Sequence, residues 1–200
     1  MMTCEYAGEP LTEPRSHPWI DVAGKPDWRY YDLTASPERI RTSLEDFQPW
    51  SHYAAVEGFY ALLERLNHPK SRLESNDCAF SGPEENEDLA VAKPLQCSGR
   101  LMLLFRLLAH NTDEARIARL RLSFHRDLSE GDPSFRWGVI GTTLVPVRFL
   151  ELPGNPGQQL GSQLMLSFWA WGDSEADTML NLGRVFKNLS RALRKVSASA

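Results

Sequence analysis

The chain has 200 residues and a formal net charge of −4, with 42% hydrophobic, 24% charged and 10% aromatic residues. This length predicts one domain with or without an N-terminal arm, and the apolar content suffices for a core without disulfides or metals. The sequence contains no apolar run long enough to span a membrane, and its first residues lack the basic and apolar segments of a signal peptide. Neither a transmembrane helix nor a signal peptide is therefore predicted. Three cysteines without CxxC spacing are typical of a reduced, cytoplasmic protein.

Residues 1–35 combine several prolines with tryptophans and tyrosines. Prolines at this density exclude a long helix, and the aromatic residues argue against disorder. We expect an arm that packs on the body, with short strands at residues 19–22 and 28–33 around Gly24. Residues 36–200 are expected to form a single domain.

Two helices are predicted after the arm. Ser36 and Pro37 form a helix start signal. The first helix would bury Ile40, Leu44 and Phe47. A second helix is predicted to start at Ser51 and to stop at Asn67. Its apolar face would consist of Val56, Phe59, Tyr60, Leu63 and Leu66.

Residues 70–97 are predicted to be a long irregular connection, which contains an acidic loop at residues 74–92. The loop holds six carboxylates and no Lys or Arg. Loops of this length inside a domain are usually functional or disordered. A plain solvated loop and a protein-docking loop both account for the composition. Acid–base catalysis is disfavoured, because raised carboxylate pKa values need burial and this context is polar.

The second half of the chain reads mainly as strands. Hydrophobic and polar residues alternate over residues 119–125, over part of 135–152 and into 163–171. The alternation in the second of these segments places on one side Trp137, Val139, Thr143, Val145, Val147 and Phe149. Residues 101–109 and 115–128 also fit helices, the latter through Ile117, Leu120, Phe124 and Leu128. We interpret both as strands.

A long C-terminal helix is predicted from residue 174 onwards. Ser174 and Asp177 resemble a capping box. A continuous apolar stripe follows, which consists of Met179, Leu182, Phe186, Leu189, Leu193 and Val196. The predicted fold class is α+β: an antiparallel sheet of about four strands, two N-terminal helices, and the long C-terminal helix packed on the sheet.

The sequence contains no local catalytic, metal-binding or phosphate-binding motif, so no cofactor and no metal are predicted. An enzyme would have to assemble its site in the fold, with His110 or His125 near a carboxylate and a Ser or Cys. Arg116, Arg119, Arg121 and Arg126 lie close together, but a pI near 5.8 argues against a nucleic acid partner.

Charge is unevenly distributed: residues 1–99 carry −8 and residues 100–200 carry +4. The two halves can neutralise each other in the fold, or the acidic half can face a basic protein. The leading hypothesis is a non-catalytic protein-binding module with the general character of bacterial immunity proteins, the small cytosolic antidotes that block toxins. The predicted partner-binding residues are Glu74, Asp77, Phe80, Glu84, Glu85, Glu87 and Asp88.

A small-molecule-binding domain is the alternative hypothesis. A helix laid on a sheet can leave an apolar cavity between the two. The predicted lining consists of Trp137, Trp169, Trp171 and Met179. The same indoles of Trp169 and Trp171 can equally pack beneath the C-terminal helix as core.

Overall fold

A mixed β-sheet carries a layer of α-helices on one of its faces. The computed structural model describes residues 2–5, 15–17, 32–131, 135–150, 152 and 157–199. The strands in this part of the chain are β1 (Met2–Glu5), β2 (Arg15–His17), β3 (Leu73–Glu85), β4 (Leu95–Phe105), β5 (Gly138–Phe149) and β6 (Gln159–Gly172). The α-helices are α1 (Ala54–Leu66), α2 (Glu114–Ser129) and α3 (Glu175–Ser199), with short 3-10 helices at Pro37–Arg41, Gln48–Trp50 and Leu108–Thr112.

The sheet has the strand order β1-β5-β6-β4-β3, and β2 pairs with β5 beside β1. Strands β3 to β6 are antiparallel, whereas β1 and β2 run parallel to β5. The predicted purely antiparallel sheet is therefore wrong at this edge. Segments as short as β1 and β2 carry too few residues for an alternating pattern to be recognised.

The edge strands β1 and β2 come from the predicted arm, residues 1–35. The strands predicted at residues 19–22 and 28–33 lie outside the described residues, except for Asp32 and Leu33. Those two open a turn in which the Asp32 carboxylate accepts hydrogen bonds from the backbone N–H groups of Thr34 and Ala35.

Five phenylalanine rings occupy the centre of the core, between the sheet and the helices. Phe186 of α3 packs against Phe59 of α1 and Phe168 of β6, with ring centroids 4.7 and 5.0 Å apart. Phe47 stacks on Phe59 at 4.7 Å and on Phe80 of β3 at 4.8 Å. Because each ring carries a large apolar area, this cluster joins the helices to the sheet.

The predicted C-terminal helix is confirmed as α3. Ser174 Oγ accepts a hydrogen bond from the backbone N–H of Asp177 at 3.2 Å. The Asp177 carboxylate accepts one from the backbone N–H of Asp173 at 3.0 Å, which completes the start signal. All six residues of the predicted apolar stripe are at most 3% exposed. The predicted helix at 51–67 is likewise confirmed as α1, with its start displaced to Ala54.

The strand predicted at 115–128 is wrong, because this segment forms α2. Asp113 caps the helix by accepting a hydrogen bond from the backbone N–H of Arg116 at 3.0 Å. The alternation over residues 119–125 is incidental, since Leu122 is 56% exposed. The buried positions are those of the alternative helical reading, namely Ile117, Leu120, Phe124 and Leu128.

The helix predicted from Ser36 is also wrong, and only the 3-10 helix Pro37–Arg41 forms there. The Ser36 side chain makes no capping hydrogen bond, so the start signal is not used. Ile40 and Phe47 are nevertheless buried, as predicted, from an irregular chain. Between residues 32 and 72 the described chain therefore forms one α-helix, α1, and α2 is inserted between β4 and β5.

The acidic loop predicted at residues 74–92 is mostly strand. Its first part belongs to β3, the edge strand that pairs with β4, and only residues 86–94 connect the two. Register shifts interrupt the alternation that would reveal a strand in the sequence. They lie between Ser75 and Asp77 and between Ser81 and Glu84. Charges on an edge strand also discourage pairing with a second chain.

The phenylalanine cluster predicts a large stability loss on truncation. We expect Phe186→Ala to lower the free energy of unfolding by about 3–5 kcal/mol, because a buried ring is replaced by a cavity. The measurement is urea unfolding followed by circular dichroism. The matched control is Leu180→Ala on the same helix, where Leu180 is 60% exposed and the expected change is within about 0.5 kcal/mol. A loss below about 1 kcal/mol for Phe186→Ala would contradict the packing described.

Candidate functional site

The loop between β3 and β4, residues 86–94, is organised around the side chain of Asn86. The Asn86 amide Nδ2 donates to three backbone carbonyls, those of Asp88 at 3.2 Å, Val91 at 3.0 Å and Lys93 at 2.8 Å. Its Oδ1 accepts from the backbone N–H of Asp88 at 3.1 Å, and its own N–H donates to the Pro94 carbonyl at 2.9 Å. The loop therefore has a defined conformation within this chain.

Lys93 fastens the end of this loop to the body. Its side chain is only 12% exposed and pairs with the Asp173 carboxylate, with Asp177 at 3.9 Å. Its Nζ also lies 4.6 Å from the ring centroid of Trp137, in a cation–π contact. Since these partners lie before β5 and at the start of α3, the loop is connected to both layers of the fold.

The four acidic residues at the hairpin end are exposed, which both a solvated loop and a docking loop predict. They are Glu84, Glu85, Glu87 and Asp88. Within the described part of the chain, no lysine, arginine or histidine lies within ion-pair distance of any of them. Leu89 follows directly and is 100% exposed, the highest exposure among the large apolar residues described. Residues 84–89 are named here the acidic tip.

The other three predicted partner-binding residues do not belong to the acidic tip. Phe80 is 7% exposed and stacks on Phe47, so it belongs to the core. The Asp77 carboxylate accepts a hydrogen bond from Arg100 Nε at 3.0 Å, so the protein's own arginine neutralises it. The side chain of Glu74 is 13% exposed, beneath β2. A strand can turn such residues inward, whereas a solvated loop would have left them outside.

Sequence reasoning missed two residues that shape the acidic tip. Asn86 was unremarkable as a polar residue among polar neighbours, because the carbonyls that it joins converge only in the fold. Leu89 had a recognisable signal, as an apolar residue within a run of acids. Both lie within the predicted acidic segment.

A buried polar cluster ties β2 to the face of the sheet away from the helices. His17 Nδ1 donates to Asn76 Oδ1 at 2.9 Å, and Asn76 Nδ2 donates to Gln163 Oε1 at 2.7 Å. His17 Nε2 lies 3.8 Å from Glu74 Oε1. Burial lowers the pKa of His17. Burial also raises the pKa of Glu74 to about 7, against the opposing field of Arg106. Both directions favour the neutral forms over an ion pair.

The residues predicted to line a small-molecule cavity between the helices and the sheet are divided between the two faces of the sheet. These residues are Trp137, Trp169, Trp171 and Met179. Met179 is buried in the core, where Cys97 Sγ lies 3.7 Å from its Sδ. Ala170 faces the same core, opposite Cys97. Trp169 and Trp171 flank Ala170, so their indoles lie on the other face of the sheet.

Residues considered for catalysis are dispersed. In the described part of the chain, His110 packs edge-on to Phe105, His125 Nδ1 is buried without a hydrogen-bond partner, and neither contacts a carboxylate. Cys78 and Cys97 are free thiols. Burial raises the pKa of both, that of Cys97 to about 12, which opposes the thiolate that a nucleophile needs.

Metal-binding clusters and membrane-spanning helices are both absent from the described residues. Among them, no group of three His, Cys, Asp or Glu side chains is placed to hold a metal ion. None of the helices described combines the length and apolar character required to cross a bilayer.

Glu74 predicts a pH dependence of stability. Its folded pKa of about 7 lies above its ordinary value of 4.5, so the folded state holds the proton more tightly than the unfolded chain. The contribution of Glu74 to the free energy of unfolding is complete below pH 4.5. It falls by about 1.4 kcal/mol per pH unit as the pH rises from 4.5 to the folded pKa of about 7, and it is lost above that pH. We therefore expect Glu74→Gln to match the wild type near pH 4 and to be more stable at pH 8, by about 3 kcal/mol at most.

The measurement is urea unfolding of both proteins at pH 4, 6 and 8. Glu85→Gln is the matched control, because Glu85 is exposed at the other end of the same strand. Its stability difference from the wild type should not change with pH by more than about 0.5 kcal/mol. A Glu74→Gln protein that is less stable than the wild type at pH 8 would show that the ionised carboxylate is favoured here.

Comparison with known proteins gives no relative from which a function can be carried over. No protein-family model, no curated protein and no solved structure matches this chain. The function therefore has to be argued from the geometry of the acidic tip and of the surfaces around it.

Proposed function

We propose that this chain is a non-catalytic protein-binding module that recognises a basic partner through the acidic tip. The class that fits best is a bacterial immunity or antitoxin protein, which neutralises a toxin in the cytoplasm. The observation that supports this proposal is a hydrogen-bonded loop that presents a fully exposed leucine among carboxylates without an ion-pair partner in the described part of the chain.

The order of the loop favours binding because it lowers the entropy lost on association. A flexible loop must be immobilised by its partner, at a cost of about 0.5–1.5 kcal/mol per ordered side chain. Asn86 and Lys93 fix this loop before any partner arrives. The exposed groups are thus held in a defined arrangement, which a complementary surface can match.

The carboxylates of the acidic tip suit a partner with a basic cleft. Unpaired surface charges steer an oppositely charged protein during diffusion and raise the association rate. A toxin that acts on nucleic acid carries such a cleft, because it must bind phosphates. Blocking that cleft with carboxylates would exclude its substrate without any catalysis by this chain.

Leu89 supplies the apolar contact that charge alone lacks. Full burial of a leucine side chain is worth about 1.5–3 kcal/mol. A single exposed apolar residue is common on surfaces, but Leu89 lies at the end of a hairpin whose loop is hydrogen-bonded through Asn86. We expect it to enter a pocket on the partner.

The prevalence of Arg over Lys, 17 to 5, is consistent with a GC-rich bacterial genome.

The partner can be sought among the products of reading frames next to the gene. Each product is expressed in a bacterial host, and the criterion is arrest of growth that co-expression of this chain relieves. The complex of the purified proteins is then measured by surface plasmon resonance. If no neighbouring product is toxic, or if none is relieved, the immunity assignment is wrong.

Charge reversal at the acidic tip should slow association. We expect the triple substitution Glu84→Lys, Glu85→Lys and Glu87→Lys to lower the association rate at least tenfold at low salt, because steering becomes repulsion. The control reverses three exposed acids elsewhere, and these are Glu38, Glu45 and Glu114. Both variants change the net charge equally. Equal slowing by the two would assign the effect to net charge and not to the acidic tip.

Truncation of Leu89 should instead speed dissociation. We expect Leu89→Ala to raise the dissociation rate about tenfold with little change in association, because apolar anchors act after the encounter. Leu160→Ala is the control, since Leu160 is 66% exposed on β6. An unchanged dissociation rate for Leu89→Ala would remove this residue from the interface and leave the charges as the sole contact.

A further inference from the structure

A second surface of the molecule combines arginines with apolar side chains. A cavity of about 720 Å³ opens where β3 begins and β4 ends. It is lined by Arg72, Phe105, Arg106, Leu107, His110, Arg116, Arg119, Leu120, Ser123 and Val196. We name it the arginine pocket. Its volume lies in the range of about 300–1,000 Å³ that small-molecule sites occupy.

The arginine pocket has two cationic walls. Arg72 and Arg106 form the wall on the sheet side, where the backbone N–H of Arg106 donates to the Arg72 carbonyl at 2.9 Å. Arg116 and Arg119 stand on α2, three residues apart and therefore on one face of that helix. No carboxylate belongs to the lining, although the chain as a whole carries a net charge of −4.

The charges of these walls are largely uncompensated. Of the four arginines, Arg116 alone has a carboxylate within 4 Å among the described residues: its Nε lies 3.7 Å from Asp113, which already caps α2. Arg106 donates through Nη2 to the carbonyls of Asn67 and His68 at 3.0 and 3.1 Å. Its buried Nε has no hydrogen-bond partner in the described structure. The exposed guanidinium groups of Arg72 and Arg119 remain available to an anion placed between the walls.

The floor of the arginine pocket is apolar. Phe105, Leu120 and Val196 are 6%, 4% and 2% exposed, so they form a fixed surface at the base. Leu107 is 58% exposed and extends this surface to the rim. A purely hydrophilic anion would leave this apolar area in contact with water. The lining thus matches a molecule with both a charged and an apolar part.

We propose that the arginine pocket binds a small amphipathic anion. The ligand class is a carboxylate or a phosphate ester with an apolar body, its anionic group held between the guanidinium walls and its body on the Phe105 floor. Arginine suits this role, because its planar fork makes paired hydrogen bonds to carboxylate and phosphate alike. The concave apolar floor favours a small molecule over the extended phosphate backbone of a nucleic acid.

The site is separate from the acidic tip. The β3–β4 pair begins at Leu73 and Phe105 beside the arginine pocket, and it ends at Glu85 and Leu95 beside the tip. At about 3.4 Å per residue, a strand of this length separates the two by about 30 Å. The sites share no residue, so the arginine pocket can be tested independently of any protein partner.

The test is isothermal titration calorimetry of the full chain with four probes below their micelle concentrations. Decanoate and decyl phosphate carry the proposed chemistry. Decyltrimethylammonium has the same tail with the opposite charge, and inorganic phosphate has the charge without a tail. We expect the two amphipathic anions to bind at least tenfold more tightly than either comparator. The ratio of the dissociation constants of decanoate and decyl phosphate identifies the preferred anionic group.

Two double variants place the binding in the arginine pocket. Arg72→Glu with Arg119→Glu should weaken the binding of both amphipathic anions at least tenfold. Both residues are exposed, so the fold is expected to persist, which circular dichroism verifies. Arg136→Glu with Arg148→Glu makes the same charge change at two exposed arginines outside the lining and should leave binding unchanged.

Four outcomes would overturn the proposal. The first is binding of decyltrimethylammonium as tight as that of decanoate. The second is binding of inorganic phosphate as tight as that of decyl phosphate. The third is equal weakening by both double variants, and the fourth is no binding of either amphipathic anion.

Discussion

The packing of Phe186 between Phe59 and Phe168 is the contact on which the rest of the structure depends. It fixes α3 against α1 and β6 at once, and thereby decides which side chains of the central strands face the helices. Phe47 extends this packing to the edge strand β3, because it stacks on both Phe59 and Phe80. Because Phe80 is held in this stack, the hairpin that carries the acidic tip leaves the body at a defined place. The position of this surface loop is therefore determined by side-chain packing in the core.

The uneven charge of the sequence is partly retained as two separate surfaces in the fold. Carboxylates of the first half gather at the acidic tip, and arginines of the second half contribute three of the four cations in the arginine pocket. Mutual neutralisation between the halves does occur, as in the pair of Asp77 and Arg100. It does not extend to the hairpin end, since the rigid β3–β4 ladder holds the two surfaces apart. Each surface therefore faces solvent with its own charge.

The sequence predicts those elements whose periodicity is unambiguous. The stripe from Met179 to Val196 can only be a helix, and α3 follows it. Residues 119–125 fit both a helix and a strand. Leu120 and Phe124 are four residues apart, as on one face of a helix, but Leu122 between them also gives the alternation of a strand. Only the burial seen in the fold, where Leu122 is exposed, distinguishes the two. Strand β3 escapes recognition since its register shifts interrupt the alternation. The prediction of the partner-binding residues is limited in the same way, because the sequence does not show which side chains are buried or paired. Charge identifies carboxylates, but it does not reveal that Glu74 lies under β2 or that Asp77 meets an arginine.

The arginine pocket carries a cost that the fold alone does not explain. Like charges one helical turn apart, as Arg116 and Arg119 are, destabilise a helix by about 0.2–0.5 kcal/mol. A buried donor without an acceptor, as in Arg106 Nε, costs about 1–3 kcal/mol. Arg106 also has a structural use, because its Nη2 donates to the carbonyls of Asn67 and His68. An anion bound between the walls would offset the repulsion between Arg116 and Arg119, and this electrostatic gain is the physical basis of the affinity that we propose for the arginine pocket.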